Sequence, residues 1–280
     1  MGPASRYTVG LEVLSLLFEE EDLPRYQLPE ALARDYAGHL GFPGRVLYAN
    51  FVSSLDGVVK IPGVQHVGSQ LNRGNRADRF VMGLLRACAD AVLVGAETLR
   101  ASPGTRWTAE RAYPAYQGEF QSLRSALGRA PTPTLVVVSE SGDVDPAHPG
   151  FDSGALLVVP EQRVSGLRSR FRPGVELLGF PGPSVEWVWL LDQMHSRGAA
   201  TILSEAGPRS MGEMLQARVV DEIFLTVSPN VVGQGPSGER RGFGGPVDLL
   251  GSPGRQLTLV SVRRNQSHLF LRYRLSRSGD

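Results

Sequence analysis

Asp90-Ala91-Val92-Leu93-Val94-Gly95 sets four apolar residues between an acidic residue and a glycine. A run without polar alternation suits a strand covered on both faces, as in a parallel sheet. Just upstream, Arg76 to Cys88 places Phe80, Val81, Leu84, Leu85 and Cys88 on one helical face. Helix followed by buried strand is the α/β unit, and it recurs outward in both directions. Before it lies Val46 to Ser53, a strand running into a turn at Leu55-Asp56-Gly57. After it, Leu135 to Val138, Leu156 to Val159 and Val175 to Leu178 read as strands. Val185 to His195 reads as a helix, Thr201 to Leu203 as a strand, Pro208 to Gln216 as a helix and Glu222 to Val227 as a strand. The tail changes character: Leu257 to Val262 and Leu269 to Leu275 alternate apolar and polar residues around Arg264-Asn265-Gln266-Ser267, an antiparallel hairpin pattern. The expected fold class is α/β: a mainly parallel sheet with helices on both faces and antiparallel C-terminal strands.

The chain has 280 residues, enough to bury about 75% of its unfolded surface without staples. No linker interrupts it, so residues 1–44 are expected to be an N-terminal extension on one domain spanning 45–280. Within that extension, Glu12 and the acidic run Glu19 to Asp22 argue against a membrane span or secretory signal over Val9 to Phe18. The 29 basic and 28 acidic residues leave a net charge of +1, with no excess to attract nucleic acid. Lys60 is the sole lysine, so a bound anion meets guanidinium forks or backbone N–H groups. Cys88, the single cysteine, excludes an intramolecular disulfide and a cysteine zinc cluster, and makes the cytoplasm the expected compartment.

A GxGxxG spacing occurs at Gly233 to Gly238, but Glu239-Arg240-Arg241-Gly242-Phe243-Gly244-Gly245 follows where a dinucleotide fingerprint needs a helix. Two other junctions fit an anion better. Ala91 to Val94 leads into Gly95-Ala96-Glu97-Thr98, and Thr201 to Leu203 leads into Ser204-Glu205-Ala206-Gly207-Pro208-Arg209-Ser210-Met211-Gly212. Each brings a glycine turn and a helix start to the carboxyl end of a strand, where open α/β sheets bind ligands. Ordinary helix starts share that form. Glu205, at the end of an apolar strand beside a glycine turn, is poorly explained by packing and suits proton transfer or hydrogen bonding to a substrate; capping its own helix is the alternative. For Asp56 the alternative is closure of its own turn. The histidines show no HxxxH or HxH spacing, no metal site is expected, and Cys88 falls on the apolar helix face.

Taken in order, Ser54-Leu55-Asp56-Gly57, Leu85-Arg86-Ala87, Asp90 to Gly95 with Thr98, Ser204 to Pro208, Val220-Asp221-Glu222 and Ser228-Pro229-Asn230-Val231-Val232-Gly233 form a set. Over residues 45–275 the chain resembles the reductase domain of the bifunctional riboflavin-biosynthesis deaminase–reductase, of the dihydrofolate-reductase-like superfamily. That resemblance implies NADPH at the carboxyl edge of the sheet and hydride transfer to C1′ of an aminopyrimidine ribose phosphate, through an open-chain imine. It implies Glu205 and Asp56 as catalytic residues. It also implies cofactor contacts from Ser54, Gly57, Gly95, Thr98, Ser139 and the turn Gly207, Pro208, Arg209, Ser210, Met211 and Gly212. Arg86 and Glu205 would meet the substrate, with Arg106 standing in for a missing arginine. A homodimer paired through the C-terminal strands is implied as well, with no nucleic-acid or membrane partner.

The sequence departs from the family in four places. There is no His-x-Glu with Pro-Cys-x-x-Cys, so no zinc deaminase half is expected. Ala101 to Thr108 replaces Asp-Asp-Pro-x-Leu-Thr-x-Arg, leaving Arg106, Arg100 and Arg111 as candidates for the lost contact. Val58 stands where a basic residue follows Asp-Gly, with Lys60 two places later. Glu140, after Ser139, favours a ribose hydroxyl over a 2′-phosphate, so NADH stays open beside NADPH. A reductase of another small heterocycle or carbonyl and a non-catalytic nucleotide-binding homologue are the alternatives.

Overall fold

The structure, a computed structural model, describes residues 13–64, 67–235, 238–250 and 256–276. The first twelve residues of the expected extension, and positions 236–237 of the GxGxxG spacing, lie outside them. Along the chain the strands are β1 (Ser15–Glu19), β2 (Val46–Ser53), β3 (Ala91–Gly95), β4 (Thr134–Val138), β5 (Ala155–Pro160), β6 (Val175–Phe180), β7 (Thr201–Ser204), β8 (Glu222–Val227), β9 (Leu257–Asn265) and β10 (His268–Leu275). The helices are α1 (Glu30–Tyr36), α2 (Val67–Leu71), α3 (Arg76–Ala87), α4 (Ala96–Arg100), α5 (Ala109–Ala112), α6 (Gln117–Ala126), α7 (Val164–Arg168), α8 (Trp187–Ser196) and α9 (Pro208–Gln216).

One sheet holds all ten strands in the order β1-β9-β10-β8-β2-β7-β3-β4-β5-β6. From β8 to β6 every neighbour pairs in parallel, while β10 runs antiparallel to both β8 and β9. The apolar runs give this half its stability by splitting between two layers, because successive side chains point to opposite faces. On one face Val92, Val94, Leu135 and Val137 pack with Phe80, Leu84 and Phe120 from α3 and α6. On the other, Ala91, Leu93, Val136 and Val138 pack with Leu190 of α8 and Met211 and Met214 of α9. This is the expected fold class, helices on both faces included.

The antiparallel end is built differently. Its inner face carries Arg263 and Arg272, each 1% exposed. Arg272 Nε donates to Glu222 Oε2 at 2.7 Å and its Nη2 to the Gly41 carbonyl at 2.8 Å. Arg263 Nε donates to the Tyr36 and Ala37 carbonyls at 2.9 Å, and its Nη2 pairs with Glu19. Apart from Glu222 of β8, those partners come from residues 13–44, whose strand joins the sheet: β1 pairs antiparallel with β9, from Ser15 opposite Arg264 to Glu19 opposite Ser261. Leu32, Tyr36, Leu40 and Phe42 join the same core. The hairpin turn is also shorter than expected. Arg264 and Asn265 belong to β9, and only Gln266, in the left-handed region at φ 51°, and Ser267 make the bend. With β1 on its outer side, the C-terminal hairpin is not the edge of the sheet; β1 and β6 are. Among the described residues no helix is long and apolar enough to cross a membrane.

Candidate active site

The carboxyl ends of β2, β7 and β3 lie side by side, and a cavity of about 540 Å³ opens there. Helix α3 forms one wall through Asp78, Met82 and Arg86, which the i, i+4, i+8 spacing sets on one face. Opposite stand Glu205, Gly207 and Pro208 from the turn between β7 and α9. At the base, Arg86 Nε and Nη2 each donate to a separate Glu205 oxygen at 2.7 Å. The two side chains are 5% and 11% exposed. Arg86 Nη1 donates to the Thr108 carbonyl at 3.3 Å. Planar guanidinium against carboxylate gives two parallel charge-assisted bonds, so this fork fixes Glu205 in one orientation. The Glu205 amide is itself held by the Leu93 carbonyl at 2.9 Å.

Asp78 is the second carboxyl group of this wall, 4% exposed. Burial holds its carboxyl above the usual aspartate value, against hydrogen bonds from Asn72 and Thr226 that favour the ion. Lys60 also lines the cavity and pairs with Glu97. Val58, by contrast, is buried, so the displaced lysine returns a cation to this site from two positions on. Arg79 and Arg111 are the exposed guanidinium groups on the lining, Arg111 in the last turn of α5.

A second cavity, of about 320 Å³, shares Glu97, Thr98 and Gly207 with the first. Gly95, Ser139, Glu140, Arg209 and Ser210 face into it, with Arg100 at its side. A Cβ on Gly207 would meet Thr98 Oγ1 at 3.8 Å, and one on Gly95 would meet Ser210 Oγ at 3.8 Å. The two glycine turns therefore face each other across a narrow cleft. Helix α9 starts there with Pro208 as its first residue and no side-chain cap, leaving its first N–H groups for an anion. Arg209 sits between Glu213 at 3.2 Å and Glu140 at 3.7 Å. A further cavity of about 270 Å³ opens beside Val46 and Asp221 and holds no sequence-predicted site residue.

Several expected residues sit elsewhere. Asp56 lies on the surface and lines neither cavity; its carboxylate accepts from the amides of Val232 and Gly233 at 3.2 and 2.7 Å. The Ser54 hydroxyl, then these N–H groups, hold it below the usual aspartate value. Ser54 and Gly57 complete that turn through bonds to Val58 and to each other, and the cavity is reached instead by Asn50, Phe51 and Val52 before the turn and by Val59 and Lys60 after it. Arg106 points away, paired with Asp152 at 2.6 Å; of the three candidate arginines, Arg111 lines the substrate-sized cavity. Met211 is fully buried in the core. Gly212 serves packing: a Cβ there would lie 2.2 Å from the Gly244 carbonyl oxygen. Burial pushes the Cys88 thiol up to about 12, which leaves it an inert core group. No helix follows the GxGxxG spacing among the described residues up to Leu250. Sequence reading missed Asp78, Arg79 and Lys60 as cavity residues. For Asp78 the available signal was its eight-residue spacing from Arg86.

An open, mainly parallel sheet with two joined cavities at its carboxyl edge defines an α/β protein of the kind whose ligand sites lie across the strand ends. The chain belongs to the RibD C-terminal domain family, whose model matches residues 45–269. Among curated proteins it is similar to the 2,5-diamino-6-ribosylamino-4(3H)-pyrimidinone 5′-phosphate reductase of Archaeoglobus fulgidus, 27% identical over 193 residues, 67% of this chain and 81% of that protein. Its fold is shared with a pyrimidine reductase-like protein of Corynebacterium diphtheriae, at TM-score 0.66 and 24% identity over 90% of this chain and 96% of that one. RibD of Acinetobacter baumannii matches at TM-score 0.63 and 19% identity; the match covers 83% of this chain and 58% of that longer protein.

Proposed function

We propose that the protein is an NADPH-dependent reductase of a phosphorylated ribosylaminopyrimidine, transferring hydride to the ribose C1′. One observation carries the reading: a buried Arg86–Glu205 fork at the base of one cavity, joined through Thr98 and Gly207 to a second cavity at the uncapped start of α9. The name of the Archaeoglobus relative supports the same substrate class. NADPH, when bound, supplies the hydride with its electron pair. The chain contributes position and charge. Gly207, Arg209, Ser210 and Thr98 hold the cofactor phosphates, and Ser139 meets the adenosine end. Glu205 accepts hydrogen bonds from the substrate amine or a ribose hydroxyl. Because Glu205 and Thr108 occupy all three nitrogens of Arg86, the substrate phosphate falls to Arg79 and Arg111. Two copies associate through the exposed apolar side chains Leu16, Leu17 and Phe18 on the edge strand β1; a monomeric mass in solution overturns that.

A reductase acting on another small heterocycle is the second reading. It is favoured by Ala101, Ser102 and Thr105, which line the cavity in the stretch where the family carries acids. The test is fluorescence titration with NADPH and NADH, wild type beside Gly207→Asp, followed by NADPH oxidation with the ribosylaminopyrimidine phosphate. Micromolar NADPH binding lost in the variant, with turnover, is the expected result. Binding without oxidation of this substrate moves the reading to the second heterocycle or to a non-catalytic homologue. Binding of neither nucleotide sinks the function and leaves the shared fold.

A further inference from the structure

Asp78 is buried near the start of α3 without capping it. It occupies the third position of α3, but the cap is made by the Asn75 side chain, which accepts from the Asp78 amide at 3.0 Å. The Asp78 carboxyl is left to Asn72 Nδ2 at 2.6 Å and to the Thr226 hydroxyl, and it lines the larger cavity. No guanidinium pairs with it. The cavity thus holds two buried carboxyl groups in opposite settings. Glu205 is matched by the Arg86 guanidinium, both oxygens at 2.7 Å. Asp78 stands about 12 Å along α3 from Arg86, at two turns' distance, with only neutral donors on it.

The groups around Asp78 come from four elements and from the loop before α3, which supplies Asn72. Arg79 and Arg86 share its helix, Glu205 faces it from the β7–α9 turn, Thr226 from β8 and His268 from β10. Burial holds His268 below its usual value, so β10 presents a neutral ring near pH 7; Arg73 acts on that ring from the preceding loop. Burial and the Glu205 charge both favour the protonated Asp78. A carboxyl group buried in the cavity wall beside neutral donors and held toward its protonated form is placed to donate a proton.

We propose that Asp78 is the general acid of this site, protonating the ribose ring oxygen. This rests on the function above. The carboxyl proton of Asp78 passes to the ring oxygen as the C1′–O bond breaks and its electron pair stays on that oxygen. The nitrogen lone pair forms the C=N bond, giving an open-chain iminium stabilised by Glu205. The co-reactant is a dihydronicotinamide, whose hydride adds to C1′ with its electron pair. The products are the ribityl amine, the oxidised nicotinamide and ionised Asp78, which regains its proton from water.

The test measures kcat against pH for wild type, Asp78→Asn and Thr226→Val, with the NADPH dissociation constant of each. For wild type, kcat falls as pH rises through the raised Asp78 value. Asp78→Asn is expected to lower kcat by about 10²- to 10³-fold, to lose that fall and to keep its NADPH affinity. Thr226→Val removes a donor to the ionised form, so the fall moves to higher pH, a shift that a purely structural role does not produce. Should Asp78→Asn fail to fold, the Thr226→Val profile decides: displaced upward it supports the proposal, unmoved it overturns it. An Asp78→Asn protein with wild-type kcat and profile overturns it as well. A wild type that binds NADPH but leaves the ribosylamine unreduced fails at the earlier step, overturning the function and the acid role with it.

Discussion

The two cavities share Thr98 and Gly207 yet hold charge in opposite ways. In the inner one, Arg86 and Glu205 are 5% and 11% exposed and matched atom to atom. In the outer one, Arg209 is 69% exposed and divided between Glu213 and Glu140. A desolvated fork fixes direction and is costly to break, whereas an exposed, shared guanidinium contributes little and exchanges partners readily. The inner cavity is therefore suited to orienting a reacting centre. The outer one is suited to a ligand that comes and goes.

The strongest way to break this contrast is at Glu205. Glu205→Gln is expected to lower kcat/KM by on the order of 10³-fold through loss of the oriented charge. It also leaves Arg86 buried without a counter-charge, a loss of about 3 kcal/mol in denaturant unfolding. The double variant Arg86→Leu with Glu205→Leu should regain most of that stability and none of the activity. Recovery of activity would mean that the fork is a structural pair only. At the shared turn the expected effect is smaller and falls on binding. Gly207→Asp brings a negative charge against the free N–H groups of α9 and should weaken NADPH by about 100-fold, or roughly 3 kcal/mol, with the fold intact. Gly212→Ala should do the reverse: the clash with the Gly244 carbonyl lowers thermal stability, with nucleotide affinity following only the folded fraction.

What the sequence made legible follows the same contrast. The parallel half was readable because Ala91–Val94, Leu135–Val138 and Leu156–Val159 are uninterrupted apolar runs at its centre, with the period of α3, α8 and α9 between the strands. Both glycine turns were readable for that reason, and so was the isolation of Glu205. The antiparallel end hid its order, because Arg263, Asn265 and Arg272 look like surface or turn residues until Glu19, Tyr36, Asn75 and Glu222 are brought against them from far along the chain. Helix α6 escaped notice for a related reason: Arg124 is buried on it, donating to the carbonyls of Arg86, Ala87 and Ala89 at the end of α3. Within the site, charge partners were the illegible part. Nothing in Leu85-Arg86-Ala87 says that the arginine is consumed by Glu205, or that Arg106 turns to Asp152 while Arg111 turns inward.

The outer cavity gives the next prediction. Glu140 stands just past the end of β4, where the proposed cofactor would place its adenosine ribose, and it pairs with Arg209 at 3.7 Å, the guanidinium a 2′-phosphate would need. Glu140→Ser should raise the preference for NADPH over NADH by about tenfold, the size expected for one like charge removed near a partly exposed phosphate. An unchanged ratio of the two dissociation constants would place the adenosine end elsewhere.

The smallest effect on catalysis is expected at Asp56, which belongs to neither cavity. Its carboxylate ties the Ser54–Gly57 turn to Val232 and Gly233, so its folded value lies below the unfolded one. The tie is present at neutral pH and lost only as pH falls through that lowered value, below about pH 4. Asp56→Asn should leave kcat within about twofold at pH 7, while limited proteolysis cuts residues 231–235 faster than in wild type. The difference should shrink as acid protonates the wild-type carboxylate. A loss of kcat comparable to that of Glu205→Gln would restore Asp56 to the catalytic machinery, and would mean that the turn moves onto the inner cavity when ligand binds.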